Sequence, residues 1–226
     1  MKILIISDTH LDEDVYRHNK NGELKLHHIG SKFYSLFEKI KSSLKSYDLI
    51  VHLGDVIADV NHEKDLKTYG EFIEKIRLFK MPYLIVIGNH DKRNLSGEEI
   101  CKLNGQLSSY FSKDIGGTHH IILDLVWDDA PNWNGEQPFI DKTQTKWLIQ
   151  DLKKTDLPTL VYLHYPIDEQ DFKGNPYFEG RPERFVFERD KIRKILESSG
   201  KVKAVLSGHS HYFNKSEING IDYITL

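Results

Sequence analysis

Five short runs of apolar, mostly β-branched residues punctuate the chain: Ile3-Leu4-Ile5-Ile6, Leu49-Ile50-Val51-His52-Leu53, Tyr83-Leu84-Ile85-Val86-Ile87, Leu160-Val161-Tyr162-Leu163 and Val202-Lys203-Ala204-Val205-Leu206. Near-continuous apolarity of that length predicts strands buried on both faces. Between the runs the apolar positions take up a helical period. Phe33, Leu36, Phe37, Ile40 and Leu44 share one face of a helix over 33–44, and Leu66, Tyr69, Phe72, Ile73, Ile76 and Phe79 share one over 66–79. Trp147, Leu148 and Leu152 mark a third helix, and 187–196 a fourth. Strand alternating with helix predicts βαβ units and a largely parallel sheet.

Two stretches depart from this alternation. Residues 106–126 read as two strands around Gly116-Gly117, and 212–226 as a hairpin turning at Asn219-Gly220. Hairpin pieces therefore join the parallel core in a mixed sheet. The Pro-, Asn- and Gly-containing stretches 127–139 and 168–184 read as long loops, which inside compact domains are more often functional than idle. No repeat, low-complexity tract or linker interrupts the pattern, so 1–226 reads as one domain. The final Ile224-Thr225-Leu226 lies in an expected strand, which leaves open whether the natural protein continues past it.

Composition narrows the class. With 39% hydrophobic and 29% charged residues the chain has a soluble globular balance. A formal net charge of -3 argues against nucleic acid held on a basic surface. The single cysteine, Cys101, excludes an intramolecular disulfide and a Cys-based zinc site; beside Ile100 and Leu103 it reads as a small buried hydrophobe. No apolar run approaches the ~20 residues of a membrane helix, and Ile3 to Ile6 is too short for a signal-peptide core. A cytoplasmic protein without a membrane partner is expected.

The chemistry lies where the strands end. The first runs into Asp8-Thr9-His10, the second into Gly54-Asp55 and the third into Gly88-Asn89-His90-Asp91. The fourth ends in His164, and the fifth in Gly208-His209-Ser210-His211. Carboxyl ends of strands form the ligand crevice of open α/β sheets. Any one of these residues alone reads as a cap, a turn or a surface histidine, but that reading must hold at every strand at once and leaves the His-x-His pair as coincidence. Asp8, His10, Asp55, Asn89, His164, His209 and His211 are oxygen and nitrogen donors without sulfur, a set suited to Mn, Fe or Zn. Seven donors exceed one transition metal and divide naturally over two divalent ions with a bridging carboxylate. Such a pair clamps a phosphoryl group for in-line displacement.

Asp-x-His, Gly-Asp, Gly-Asn-His-Asp, a lone His and Gly-His-x-His, in that order from Asp8 to His211, resemble the calcineurin-like metallophosphoesterase superfamily. The resemblance implies an α/β fold, a four-layer α/β/β/α sandwich with two mixed sheets flanked by helices. It also implies a hydrolase that cleaves phosphodiesters or phosphomonoesters by metal-activated hydroxide attack. Carried over by position, Asp8, His10 and His211 hold the first ion, Asn89, His164 and His209 the second, and Asp55 bridges. His90 serves the leaving oxygen and Asp91 orients His90. Tyr165 stands where relatives often carry a second His, and is expected to affect substrate contact more than metal binding. Gln144-Thr145-Lys146-Trp147-Leu148 is similar to the cyclic-nucleotide phosphodiesterase-like and purple-acid-phosphatase-like branches, though Trp147 and Leu148 also suit plain helix packing.

The partner expected is a small phosphate ester, with nucleotides among the candidates. The rival readings are a catalytically silent interaction scaffold, disfavoured because His90 and all donors are present, and a nuclease, for which neither length nor charge provides DNA-binding elements. Lys92, Arg93 and Asn94 are candidates to reach a substrate phosphate. Trp133, Tyr177 and Phe178 are candidates to stack on a base. The region around Arg17, His18, His27 and His28 reads as an exposed loop, and His52 as a core histidine.

Overall fold

The computed structural model describes residues 1–12, 46–127, 137–173 and 185–226, together with 33, 35, 37–39, 175, 178 and 179, and the backbone of 15–18 and 24–28. The chain forms two compact units, Met1–Leu107 and Ser108–Leu226. Each is a sheet with helices packed on it.

In the first unit β1 (Ile3–Ile6), β4 (Leu49–His52) and β5 (Tyr83–Ile85) form a parallel sheet in the order β1-β4-β5. The helix His62–Arg77 begins at Asn61, whose side chain accepts the N–H of Lys64. It buries Tyr69, Phe72, Ile73 and Ile76, the predicted face. These pack with Ile50, Ile85, Phe37 and Ile100 of the helix Gly97–Asn104. Each fully buried Leu, Ile or Phe contributes about 2 kcal/mol relative to exposure. Of the helix expected over 33–44, residues 33, 35 and 37–39 are helical and the others lie outside the described residues. The region read as an exposed loop after β1 instead contains an antiparallel pair, β2 (Val15–His18) and β3 (Leu24–His28). Neither segment has the apolar run that marks the core strands, so the pattern passes over them. Cys101 is partly buried against the core, less enclosed than expected.

The second unit holds a sheet in the order β10-β11-β9-β8-β7-β6, with β6 (Phe111–Ile115), β7 (Thr118–Ile122), β8 (Thr159–Tyr162), β9 (Val202–Ser207), β10 (Asn214–Ile218) and β11 (Ile221–Thr225). The pairs β7–β8, β8–β9 and β9–β11 are parallel, and the edge pairs β6–β7 and β10–β11 are antiparallel. Asn219 and Gly220 both have positive φ, as the two-residue turn between β10 and β11 requires. Leu148 and Leu152 of the helix Lys142–Lys154, with Ile192 and Leu196 of Arg189–Ser198, bury against Val161, Leu163, Val205 and Tyr223. Gln144 has a structural task. Its side-chain amide accepts from Asp124 N–H and donates to Asp124 C=O, both at 2.9 Å, tying the helix to the chain beyond β7. Trp147 packs on the core and on Tyr110.

Among the described residues no helix is long and apolar enough to cross a membrane.

His120 on β7 is fully buried, stacked at 7° on Tyr162 with its Nδ1 3.0 Å from the phenolic oxygen. Burial holds its pKa below the ordinary value. The folded state therefore keeps it neutral where the unfolded chain already takes up a proton. Its contribution to stability is complete above about pH 6.5 and is lost as pH falls through that value toward the folded one. Unfolding free energies from urea titration should fall more steeply for the wild type than for His120→Gln below pH 6.5, by up to about 1.4 kcal/mol per pH unit; parallel curves would contradict this.

Candidate metal centre

Beyond their paired residues, β1 and β4 continue side by side as loops. Leu53 N–H donates to Ile6 C=O, Asp8 N–H to Gly54 C=O at 3.1 Å, His10 N–H to Asp55 C=O at 3.1 Å and Leu11 N–H to Val56 C=O at 2.7 Å. This zipper holds Asp8, His10 and Asp55 with φ of 50°, 41° and 55°, the left-handed region that side chains other than glycine rarely occupy. His52 braces it from below. Its Nδ1 accepts Gly54 N–H, its Nε2 lies 3.1 Å from Thr9 Oγ1, and Thr9 donates in turn to Val56 C=O. His52 is fully buried, the core histidine expected.

The loop after β5 meets this pair at Asp55. A Cβ on Gly88 would lie 2.1 Å from Asp55 Oδ1 and 2.2 Å from its amide nitrogen, so only glycine fits there. Asn89, buried, opens the short helix Asn89–Asn94, and His90 N–H donates to Asp55 Oδ1 at 2.8 Å. Asp91 is fully buried. It accepts four backbone N–H groups, from Gly88 (2.9 Å), Asp55 (3.0 Å), Val56 (2.9 Å) and Ile57 (3.3 Å).

The side chains that result surround a gap. His10 Nε2 lies 3.9 Å from Asp8 Oδ1 and 3.8 Å from Asp55 Oδ2, and His90 Nε2 lies 3.8 Å from the same Asp55 oxygen. One donor atom each from His10, Asp55 and His90 falls within 4.8 Å of the others. These separations are too long for hydrogen bonds and suit donors about 2 Å from a shared cation. Two nearly buried carboxylates this close together also call for positive charge. The residues fit a divalent metal.

In the second unit the described donors again follow strand ends. His164 is buried beyond β8, and its C=O accepts Gly208 N–H at 2.9 Å beyond β9. His209 and His211 have φ of 69° and 48°. The His164 and His209 rings sit 5.2 Å apart. Tyr165 stacks on His209 at 3.6 Å and 17°, and Phe178 meets the same ring edgewise at 5.2 Å.

The calcineurin-like phosphoesterase family profile matches residues 1–213. The chain belongs to that family. It is accordingly a metal-dependent phosphoesterase with the two-sheet α/β fold of the family. Among curated proteins it is similar to the 3′,5′-cyclic adenosine monophosphate phosphodiesterase CpdA of Haemophilus influenzae, 24% identical over 234 positions, covering 97% of this chain and 73% of that one. It is also similar to a probable glycerophosphodiester phosphodiesterase GpdQ of Arcobacter nitrofigilis, 21% identical over 238 positions, covering 100% and 77%. Among solved structures, a dimetal phosphatase from Danio rerio superposes with a TM-score of 0.74 at 13% identity, over 99% of this chain and 86% of that one.

For this calcineurin-like phosphoesterase two expectations need correction. Asp91 does not orient His90. Its carboxylate is taken up by the four backbone N–H groups, and the ring Nδ1 of His90 instead lies 2.8 Å from Asp59 Oδ1, with Arg93 paired to the other Asp59 oxygen. Burial raises the Asp59 carboxyl, but the bonds and charges of His90 and Arg93 outweigh it and hold the pKa below the ordinary value. Asp59 was missed because a lone Asp in Gly-Asp-Val-Ile-Ala-Asp has no strand-end signal. Its φ of 55° is visible only in three dimensions. Tyr165 offers nothing to substrate, since it is fully buried against His209. Of the other candidates, Arg93 and Asn94 are engaged by Asp59 and Asp65. Trp133 and Tyr177 lie outside the described residues.

Asp59→Asn should keep the melting temperature and bound metal while lowering phosphoester kcat about tenfold to hundredfold, because His90 loses its charged partner. Asp91→Asn should instead turn an amide N–H toward backbone donors and cost about 1–3 kcal/mol of stability. Equal loss of stability in both variants would contradict the division of roles.

Proposed function

We propose that the chain holds a dimetal centre, in which Asp8, His10 and His211 hold the first ion, Asn89, His164 and His209 the second, and Asp55 both. The observation that carries this reading is the approach of His10 Nε2 to Asp8 Oδ1 at 3.9 Å and Asp55 Oδ2 at 3.8 Å, with all three residues in left-handed backbone conformations. Strain of that kind persists where function requires it. The family profile runs across both units, which supports reading the chain as one metallophosphoesterase domain.

Two divalent ions, of Mn, Fe or Zn by donor type, supply the charge that neutralises phosphoryl oxygens and acidifies a water. The protein's own contribution is positional. Asp55 is held by its N–H to Asp91 and by its Oδ1 to His90 N–H, so its Oδ2 faces the gap. His90, fixed through Nδ1 by Asp59, keeps Nε2 toward the same gap, placed to donate a proton or a hydrogen bond to the leaving oxygen. Arg93 keeps Asp59 ionised in that role.

The substrate is a phosphodiester of nucleotide type. The names of the relatives, a cyclic-nucleotide and a glycerophosphodiester phosphodiesterase, support a diester over a monoester. The single cysteine accords with a cytoplasmic setting.

Metal-stripped protein reloaded with Mn²⁺, Zn²⁺, Fe²⁺ or Mg²⁺ should hydrolyse bis-(p-nitrophenyl) phosphate faster than p-nitrophenyl phosphate. Asn89→Ala should lose at least about a thousandfold of that activity. Monoester turnover alone would replace the diesterase reading with a phosphatase, and metal-independent turnover would remove it.

A further inference from the structure

The ring of Tyr165 is fully buried and lies nearly parallel to that of His209, with centroids 3.6 Å apart at 17°. It also meets its chain neighbour His164 edgewise at 5.5 Å, and Trp127 at 5.8 Å. One aromatic side chain thus touches both histidines assigned above to the second ion. His209 has need of such a hold, because its φ of 69° is a conformation its own backbone disfavours. Phe178 adds a further edge against the same ring and is itself anchored on Phe172.

We infer that Tyr165 is a positioning residue for the second metal ion, raising its affinity through the face of its ring. The inference rests on the dimetal reading above. Two physical effects act together. The stack fixes the plane of the His209 imidazole, so less rotational freedom is lost when a ligand nitrogen is captured. An imidazole that donates to a dication also becomes electron-poor, and an electron-poor ring is attracted to the π-face of tyrosine more strongly than a neutral one. The contact is therefore stronger with the ion bound than without it, and that difference appears as affinity. Partners of metal-ligating histidines commonly act through a hydrogen bond to the second ring nitrogen; the contact of Tyr165 acts through the ring face. The ring rather than the hydroxyl is what matters, so phenylalanine should serve as well.

Co²⁺ binding to metal-stripped protein, followed by calorimetry and by visible absorption, tests this without recourse to activity. The wild type should bind two Co²⁺. Tyr165→Phe should bind both with affinities within about threefold of the wild type. Tyr165→Leu should weaken the second ion by about tenfold to hundredfold and leave the first unchanged. If the leucine variant shows no cooperative unfolding, Tyr165→Met fills the same length without a π-face and should show the same selective loss. A folded leucine or methionine variant with wild-type affinity for both ions would overturn the role of Tyr165, as would a phenylalanine variant as impaired as the leucine one. A wild type that binds one Co²⁺ at saturation would instead overturn the dimetal reading itself.

Discussion

A single carboxylate, that of Asp91, gathers four backbone N–H groups from two loops, three of them from successive residues Asp55, Val56 and Ile57 and one from Gly88. Unpaired, those buried amides would each cost about 1–3 kcal/mol. Paired to one charged acceptor, they lock the loop after β4 to the loop after β5. The lock sets the distance between Asp55 and the Asn89-His90 turn, and it draws Gly88 so close to Asp55 that no side chain fits between. In Gly-Asn-His-Asp the glycine permits the close contact with Asp55, and the aspartate binds the glycine N–H and the loop after β4.

The site is costly to build. Asp8, His10, Asp55, Asp59, His209 and His211 all have φ between 41° and 69°, and residues so held cost about 1–3 kcal/mol each. The offset is local. Zipper bonds between the β1 and β4 loops and the His52–Thr9 brace stabilise the first group. The Tyr165 stack stabilises His209.

Much of this was legible in the sequence. The apolar runs predict the core strands because burial on both faces leaves no polar positions, and Asn219-Gly220 predicts its hairpin because few other pairs accept positive φ twice. The expected donors could be named because each follows a strand end in the sequence. Roles decided by a partner distant in sequence could not. Asp59 pairs with His90 across 31 positions, and nothing near it in the chain announces that contact. Asp91 adjoins His90 in sequence yet serves the backbone, so adjacency was the wrong guide. The expectation for Tyr165 comes from the second His that relatives often carry at that position. The burial of Tyr165 follows from the packing of the second unit, which local pattern does not encode. The β2–β3 pair lacks the near-continuous apolar run that marks the core strands, so the sequence pattern passes over it.

The proposed centre puts Asp55 on two ions, one held by Asp8, His10 and His211 and the other by Asn89, His164 and His209. Anomalous diffraction from crystals of the full chain grown with Mn²⁺ tests it most directly. Two Mn²⁺ peaks about 3.5–4 Å apart are expected, with Asp55 between them, His211 on one and His164 with His209 on the other. A single peak, or two separated ions each held by the donors of one unit alone, would contradict it.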